Sequence, residues 1–121
     1  MDLKEYILPV NSMIGGWYIR PIICDDLISL FKQNEEYHKP GEGFKQWHFE
    51  RSSRKENRCL VFMTYLNDVP DGGTHFKYQD LTTPAEKGLT LMWPTDFSHT
   101  HKGQITKTHE KYIITGWLGF A

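Results

Sequence analysis

The sequence predicts a mainly β domain, an all-β sandwich or barrel with one N-terminal helix packed against its outside. Three observations predict it. Short runs of strand-compatible residues recur along the chain, separated by turn residues. Aromatics make up 14% of the residues, a composition that suits strands and pocket walls. One stretch alone has apolar residues at convincing helical spacing. At 121 residues the chain has room for one core of normal size. It reads as a single domain, with N-terminal strands and the helix over residues 1–36 and the β core over 37–121.

In chain order, residues 6–10 and 16–20 read as short strands. Pro21 suits the first position of a helix that runs to about Gln33. Asp25 and Asp26 are expected to favour its first turn, and Ile23, Leu27, Leu30 and Phe31 form one apolar face. Residues 39–43 are turn chemistry, with a simple loop at Glu42. Strands are expected over 44–51 and, longer and buried, over 57–67. Residues 68–73 read as a turn, with Asp71-Gly72-Gly73 its strongest signal. Further strands are expected at 73–78, 88–93, 97–102 and 111–120.

The composition also excludes functions. The net charge is −1, with no run of like charges, so nucleic acid is not expected as a partner. No apolar run is long enough to span a membrane. The charged N-terminus has no apolar leader region, and a cytoplasmic location is expected. Cys24 and Cys59 sit far apart in apolar settings and read as free thiols rather than a disulfide.

The chemistry starts at Trp47-His48-Phe49-Glu50. On a strand, positions i and i+2 share a face, so His48 and Glu50 can converge. Alone, such a pair is more often a surface pair than a metal site. Downstream, His99-Thr100-His101 puts two more imidazoles on one strand face. Two histidines and one carboxylate, with other positions open, make the facial triad of non-haem Fe(II) oxygenases. A closed zinc site would use more Cys or His, and paired CxxC elements are missing. Lys111 then starts a strand on which Lys111, Ile113, Thr115 and Trp117 share a side. Either this lysine snorkels to water, or it faces the interior and needs an anionic partner. Tyr65 shares a face with Cys59, Val61 and Met63. It is either a core tyrosine bonded to backbone or a pocket residue.

These motifs together resemble the 2-oxoglutarate (2OG) and Fe(II)-dependent dioxygenases, specifically the prolyl 4-hydroxylase-like branch. The resemblance covers residues 37–120. It rests on His48-Phe49-Glu50, on Tyr65-Leu66-Asn67-Asp68-Val69 with Gly72-Gly73-Thr74-His75-Phe76, on His101-Lys102-Gly103, and on Lys111-Tyr112 with Trp117. Lys111 follows His101 by ten residues, the family interval, which selects His101 over His99 as a ligand. The resemblance implies a double-stranded β-helix, a jelly-roll or cupin-like barrel. It implies Fe(II) held by His48, Glu50 and His101, and 2OG held by Lys111 and Tyr65 with Thr115 beside them. It implies O2 as oxidant, ascorbate as an accessory reductant, and hydroxylation of a C–H bond with succinate and CO2 as co-products. Peptidyl proline is the family-based substrate, and a protein, peptide or small molecule remains open.

The chain departs from the family pattern twice. Its acid is Glu50, where the commonest pattern has aspartate. The segment between helix and HxE motif is also short, which puts the substrate groove in question and leaves sheet edge for a second copy, as a homodimer. The rival readings are a non-catalytic metal- and 2OG-binding module and a jelly roll with a structural metal. Trp47, Trp93 and Trp117 are expected mostly in the core, with Trp117 able to border the pocket. His38, His75 and His109 are expected at the surface or in loops. His99 is expected beside the site or as a spare ligand, and Arg58 in a strand-edge salt bridge rather than reaching into the site.

Overall fold

A computed structural model describes residues 3–34, 46–53 and 55–120. The turn expected at 39–43, His38, Glu42 and the start of the strand expected at 44–51 lie outside these residues. The elements are β1 (Lys4–Glu5), β2 (Gly15–Tyr18), α1 (Pro21–Gln33), β3 (Arg58–Tyr65), β4 (Val69–Phe76), β5 (Leu81–Ala85), β6 (Leu89–Pro94), β7 (His101–Gly103) and β8 (Ile113–Gly119). They form a five-stranded sheet, ordered β1-β2-β6-β3-β8, and a three-stranded sheet, ordered β5-β4-β7. All strand pairs are antiparallel. No helix among the described residues is long and apolar enough to cross a membrane.

The core lies between the sheets and follows from period-two patterning. Val61, Met63 and Tyr65 of β3 and Leu89, Leu91 and Trp93 of β6 are buried from the large sheet. Val69 and Phe76 of β4 and Ala85 of β5 meet them from the small sheet. Phe76 stands edge-on to Trp93, with ring centroids 5.1 Å apart, the geometry that aromatic quadrupoles favour. Cys24 is buried, Cys59 half-buried, and both are free.

Several elements differ from expectation. Residues 6–10 do not form a strand. Pro9 lacks a donor there, and Val10–Ser12 closes as a 3-10 turn through Ser12 N–H to the Pro9 carbonyl, 2.9 Å. α1 has the predicted bounds, and Pro21 opens it. Its acidic residues miss the first turn; Asp25 instead pairs with Lys87. Of its apolar residues, Ile23, Leu30 and Phe31 are exposed, and Cys24 is the buried residue of the helix. α1 does carry an edge contact from Phe31 to Tyr112, 5.7 Å between centroids.

Residues 69–73 belong to β4 rather than to a turn. The Asp71-Gly72-Gly73 signal is a bulge: the β4–β5 register shifts between Val69 and Thr74, and Asp71 has φ 53°. Gly73 is required there, because a Cβ would lie 1.6 Å from the Thr83 carbonyl oxygen. β5, a Thr- and Pro-containing strand, was not expected at all. Residues 97–99 form a 3-10 turn, and only residues from His101 continue as strand.

Candidate active site

Residues 46–50 make no strand, contrary to expectation, but one isolated bridge joins His48 to His101. Each backbone N–H donates to the other's carbonyl at 2.9 Å. Beyond it the chain turns, and the Glu50 and Arg51 amides donate to the Thr95 carbonyl at 3.1 and 2.9 Å. That path still brings His48 and Glu50 to one side, next to His101.

Each imidazole is aimed by the carbonyl two residues before it. His48 Nδ1–H donates to the Gln46 carbonyl at 2.9 Å, and His101 Nδ1–H to that of His99 at 2.7 Å. A carbonyl only accepts, so Nδ1 carries the proton in both rings. Both Nε2 atoms therefore face inward, each 3.3 Å from Glu50 Oε1. The three donor atoms lie within 4.8 Å of one another. Two neutral imidazole nitrogens and a carboxylate oxygen are all acceptors, so a proton or a cation must stand between them. Two imidazoles and a carboxylate without thiolate suit a first-row divalent ion such as Fe(II).

The electrostatics agree. Burial pushes the Glu50 carboxyl up, but with a proton on Nε2 the His101 and His48 rings donate to it, outweigh burial and hold the group well below the carboxylate range. His48 is raised above its ordinary value, chiefly by its bond to Glu50.

His48, Glu50 and His101 line the same pocket as Tyr65, Lys111, Thr115 and Trp117. Lys111 precedes β8 and shares its inward face, as alternation predicts. Its ammonium donates to the carbonyls of Gly72, at 2.9 Å, and Gln104, at 3.0 Å. No carboxylate of a described residue pairs with it, and burial lowers its pKa. Tyr65 is buried, its hydroxyl 2.6 Å from Thr74 Oγ1 and 3.2 Å from Thr83 Oγ1. Burial raises its pKa, so the phenol keeps its proton. Thr115 Oγ1 donates to the Phe62 carbonyl at 3.0 Å.

Other expectations need correction. His99 does not share a face with His101. The 3-10 turn rotates it into the core, where Nε2–H donates to the Ser12 carbonyl at 2.8 Å and Nδ1 accepts from Ser98 Oγ at 2.9 Å. Of the tryptophans expected in the core, Trp93 is buried, but Trp47 and Trp117 are 38% and 39% exposed. Trp47 lies over His75, 5.2 Å away, with Lys102 at 4.5 Å from its ring. Arg58 makes no edge salt bridge with a described residue; its guanidinium stacks 3.8 Å over Trp117. Sequence reasoning missed Gln104, whose carbonyl holds Lys111 and whose side chain accepts from the Gly73 amide at 3.1 Å. It also missed the Trp117 indole N–H, which donates to Glu50 Oε2 at 3.3 Å. Placing Trp117 on the Lys111 face was the only signal for that contact.

The family profile of the 2OG-Fe(II) oxygenase superfamily matches residues 33–119. No curated protein matches the chain by sequence. Among solved structures, it is similar to the viral collagen prolyl hydroxylase of Paramecium Bursaria Chlorella virus-1. A truncated form of that protein gives a TM-score of 0.66 at 16% identity, covering 87% of this chain and 89% of that one. The same hydroxylase in complex with 2OG gives 0.54 at 15% identity, over 89% and 80% of the two chains. A Pseudomonas putida prolyl-4-hydroxylase gives 0.51 at 17% identity, over 93% and 76%. The two antiparallel sheets and helix α1 thus match the double-stranded β-helix of prolyl hydroxylases, and the chain belongs to the 2OG-Fe(II) oxygenase superfamily.

Proposed function

We propose that the chain is an Fe(II)- and 2OG-dependent dioxygenase that hydroxylates a C–H bond. The observation that carries this reading is the pocket itself. One end converges two imidazole Nε2 atoms on a carboxylate oxygen, and the same pocket holds an ammonium without a described carboxylate partner. When bound, iron and 2OG supply the oxidative chemistry, in which O2 and 2OG are consumed, succinate and CO2 are released, and the substrate gains a hydroxyl.

The chain's own residues bind and orient. His48, Glu50 and His101 would hold the cation, as the two-histidine, one-carboxylate donor set of non-haem Fe(II) oxygenases. The Gln46 and His99 carbonyls keep both rings in the ligating tautomer. Lys111 pairs with the distal carboxylate of 2OG, which returns a counter-charge to a desolvated ammonium. Tyr65 adds a hydroxyl beside it, and Thr115 a small polar wall. Val61, Met63 and Trp93 keep that part of the pocket dry. A prolyl residue in a peptide is the substrate class proposed, by analogy with the similar hydroxylases.

The test is succinate formation from 2OG after anaerobic Fe(II) loading, with and without proline-containing peptides. Peptide-stimulated succinate that is lost in His101→Ala and Lys111→Ala supports the hydroxylase. Binding of metal and 2OG with no succinate under any condition would replace it with the non-catalytic module.

A further inference from the structure

The histidines engage only one oxygen of Glu50. Oε1 lies 3.3 Å from both Nε2 atoms, while Oε2 accepts the Trp117 indole N–H at 3.3 Å. Trp117 is 39% exposed, so burial alone does not fix its ring. The Arg58 guanidinium stacked 3.8 Å above it supplies that restraint. The clamp shares its anchor with the carboxylate it serves. Thr95 Oγ1 donates to the Arg58 carbonyl at 2.8 Å, and the Thr95 carbonyl accepts the Glu50 amide at 3.1 Å.

We infer that Trp117 is a positioning residue of the metal centre, holding Glu50 with one oxygen toward the histidines and the other turned away, with Arg58 clamping the indole. This rests on the iron-site reading above. A carboxylate free to turn can chelate a metal through both oxygens and occupy a position meant for a small molecule. An N–H donor on Oε2 opposes that turn and keeps the acid a one-oxygen ligand. Glutamate, with its extra methylene, needs such a hold more than a shorter acid would.

Co(II) titration of the metal-free chain tests this, because cobalt's visible spectrum reports coordination geometry without turnover. Trp117→Phe should weaken Co(II) binding about tenfold, the low end for loss of an outer-shell hydrogen bond, and alter the spectrum. Replacing Trp117 by 3-benzothienylalanine keeps the ring's shape and its stack on Arg58 but removes the N–H. It should do the same, and it guards against a folding defect in the phenylalanine chain. In a Glu50→Asp background the effect of the Trp117 change should shrink below about twofold, because the shorter acid does not span both the indole and the imidazoles. A benzothienyl chain that binds Co(II) like the parent, with the parent spectrum, overturns the inference while His101→Ala still abolishes binding. If His101→Ala binds Co(II) as tightly as the parent, the iron-site reading itself fails.

Discussion

Lys111 links the pocket to its proposed co-substrate. Its ammonium is half-buried, held by the Gly72 and Gln104 carbonyls, with its pKa lowered by desolvation. Two of its three N–H bonds are thus spent on neutral acceptors, leaving the third for an anion. A hydrogen bond to a charged group in such a place contributes about 1.5–3 kcal/mol. Lys111→Ala should therefore weaken 2OG binding about ten- to a hundredfold. Fe(II) binding should be nearly unchanged, because Lys111 supplies none of the converging donor atoms. Lys111→Arg should recover part of the loss, since a guanidinium pairs with carboxylate but is planar and larger. Anaerobic calorimetry with metal already bound measures all three chains. The affinity of the parent should also fall at alkaline pH, as Lys111 loses its proton below the ordinary lysine value. An alanine chain that binds 2OG as tightly as the parent would refute the reasoning and leave Lys111 a structural donor to the Gly72 and Gln104 carbonyls.

Four further outcomes are expected. His101→Ala should abolish metal binding, whereas His99→Ala should leave it nearly intact and lower the melting temperature by removing the bond to Ser12; the reverse ranking in metal titration and thermal melts would show the ligand assignment wrong. In the metal-free chain, the raised pKa of His48 contributes stability that is complete below about pH 6.5, its ordinary value, and is lost as pH rises through the folded value, while the depressed Glu50 contributes stability above about pH 4.3 that is lost as pH falls through its folded value. Metal affinity should move oppositely to the His48 contribution and rise with pH, because binding displaces its proton; a pH-independent metal titration between pH 5.5 and 8 would contradict this. The chain should self-associate, because Ile22, Leu30 and Phe31 of α1 and Ile114 and Leu118 of β8 leave apolar surface exposed; light scattering that gives only monomer at tens of micromolar would count against it.

The parts legible in the sequence were those carried by local period. α1 could be bounded because Pro21 starts it and apolar spacing sustains it. The inward faces of β3 and β8 could be read because alternation places Tyr65 with Val61, and Lys111 with Thr115 and Trp117. Pairing and backbone departures from period two were not legible. His99 and His101 look equivalent on paper, and only the 3-10 turn over Phe97–His99 separates a core histidine from one facing Glu50. Asp71-Gly72-Gly73 is turn chemistry in any context. Its use as a bulge depends on the neighbouring strand β5, whose Pro84 and three polar or small residues give no clear strand signal. The approach of Trp117 to Glu50 depends on β8 lying beside β3 at the sheet edge, which no spacing encodes.

The isolated bridge between His48 and His101 has a consequence for how the site is assembled. A ladder several rungs long resists slippage, because moving it breaks many bonds together. Here one reciprocal pair of 2.9 Å bonds sets the alignment, with the Thr95 carbonyl as a nearby latch. A slip of a single residue would present Trp47 and Phe49 where His48 and Glu50 now face. A cation bound to residues on both sides of that rung would act as a second rung, joining the segment to β7 through its side chains. The ion would then proofread the alignment it requires, since only the correct one offers three donors at once.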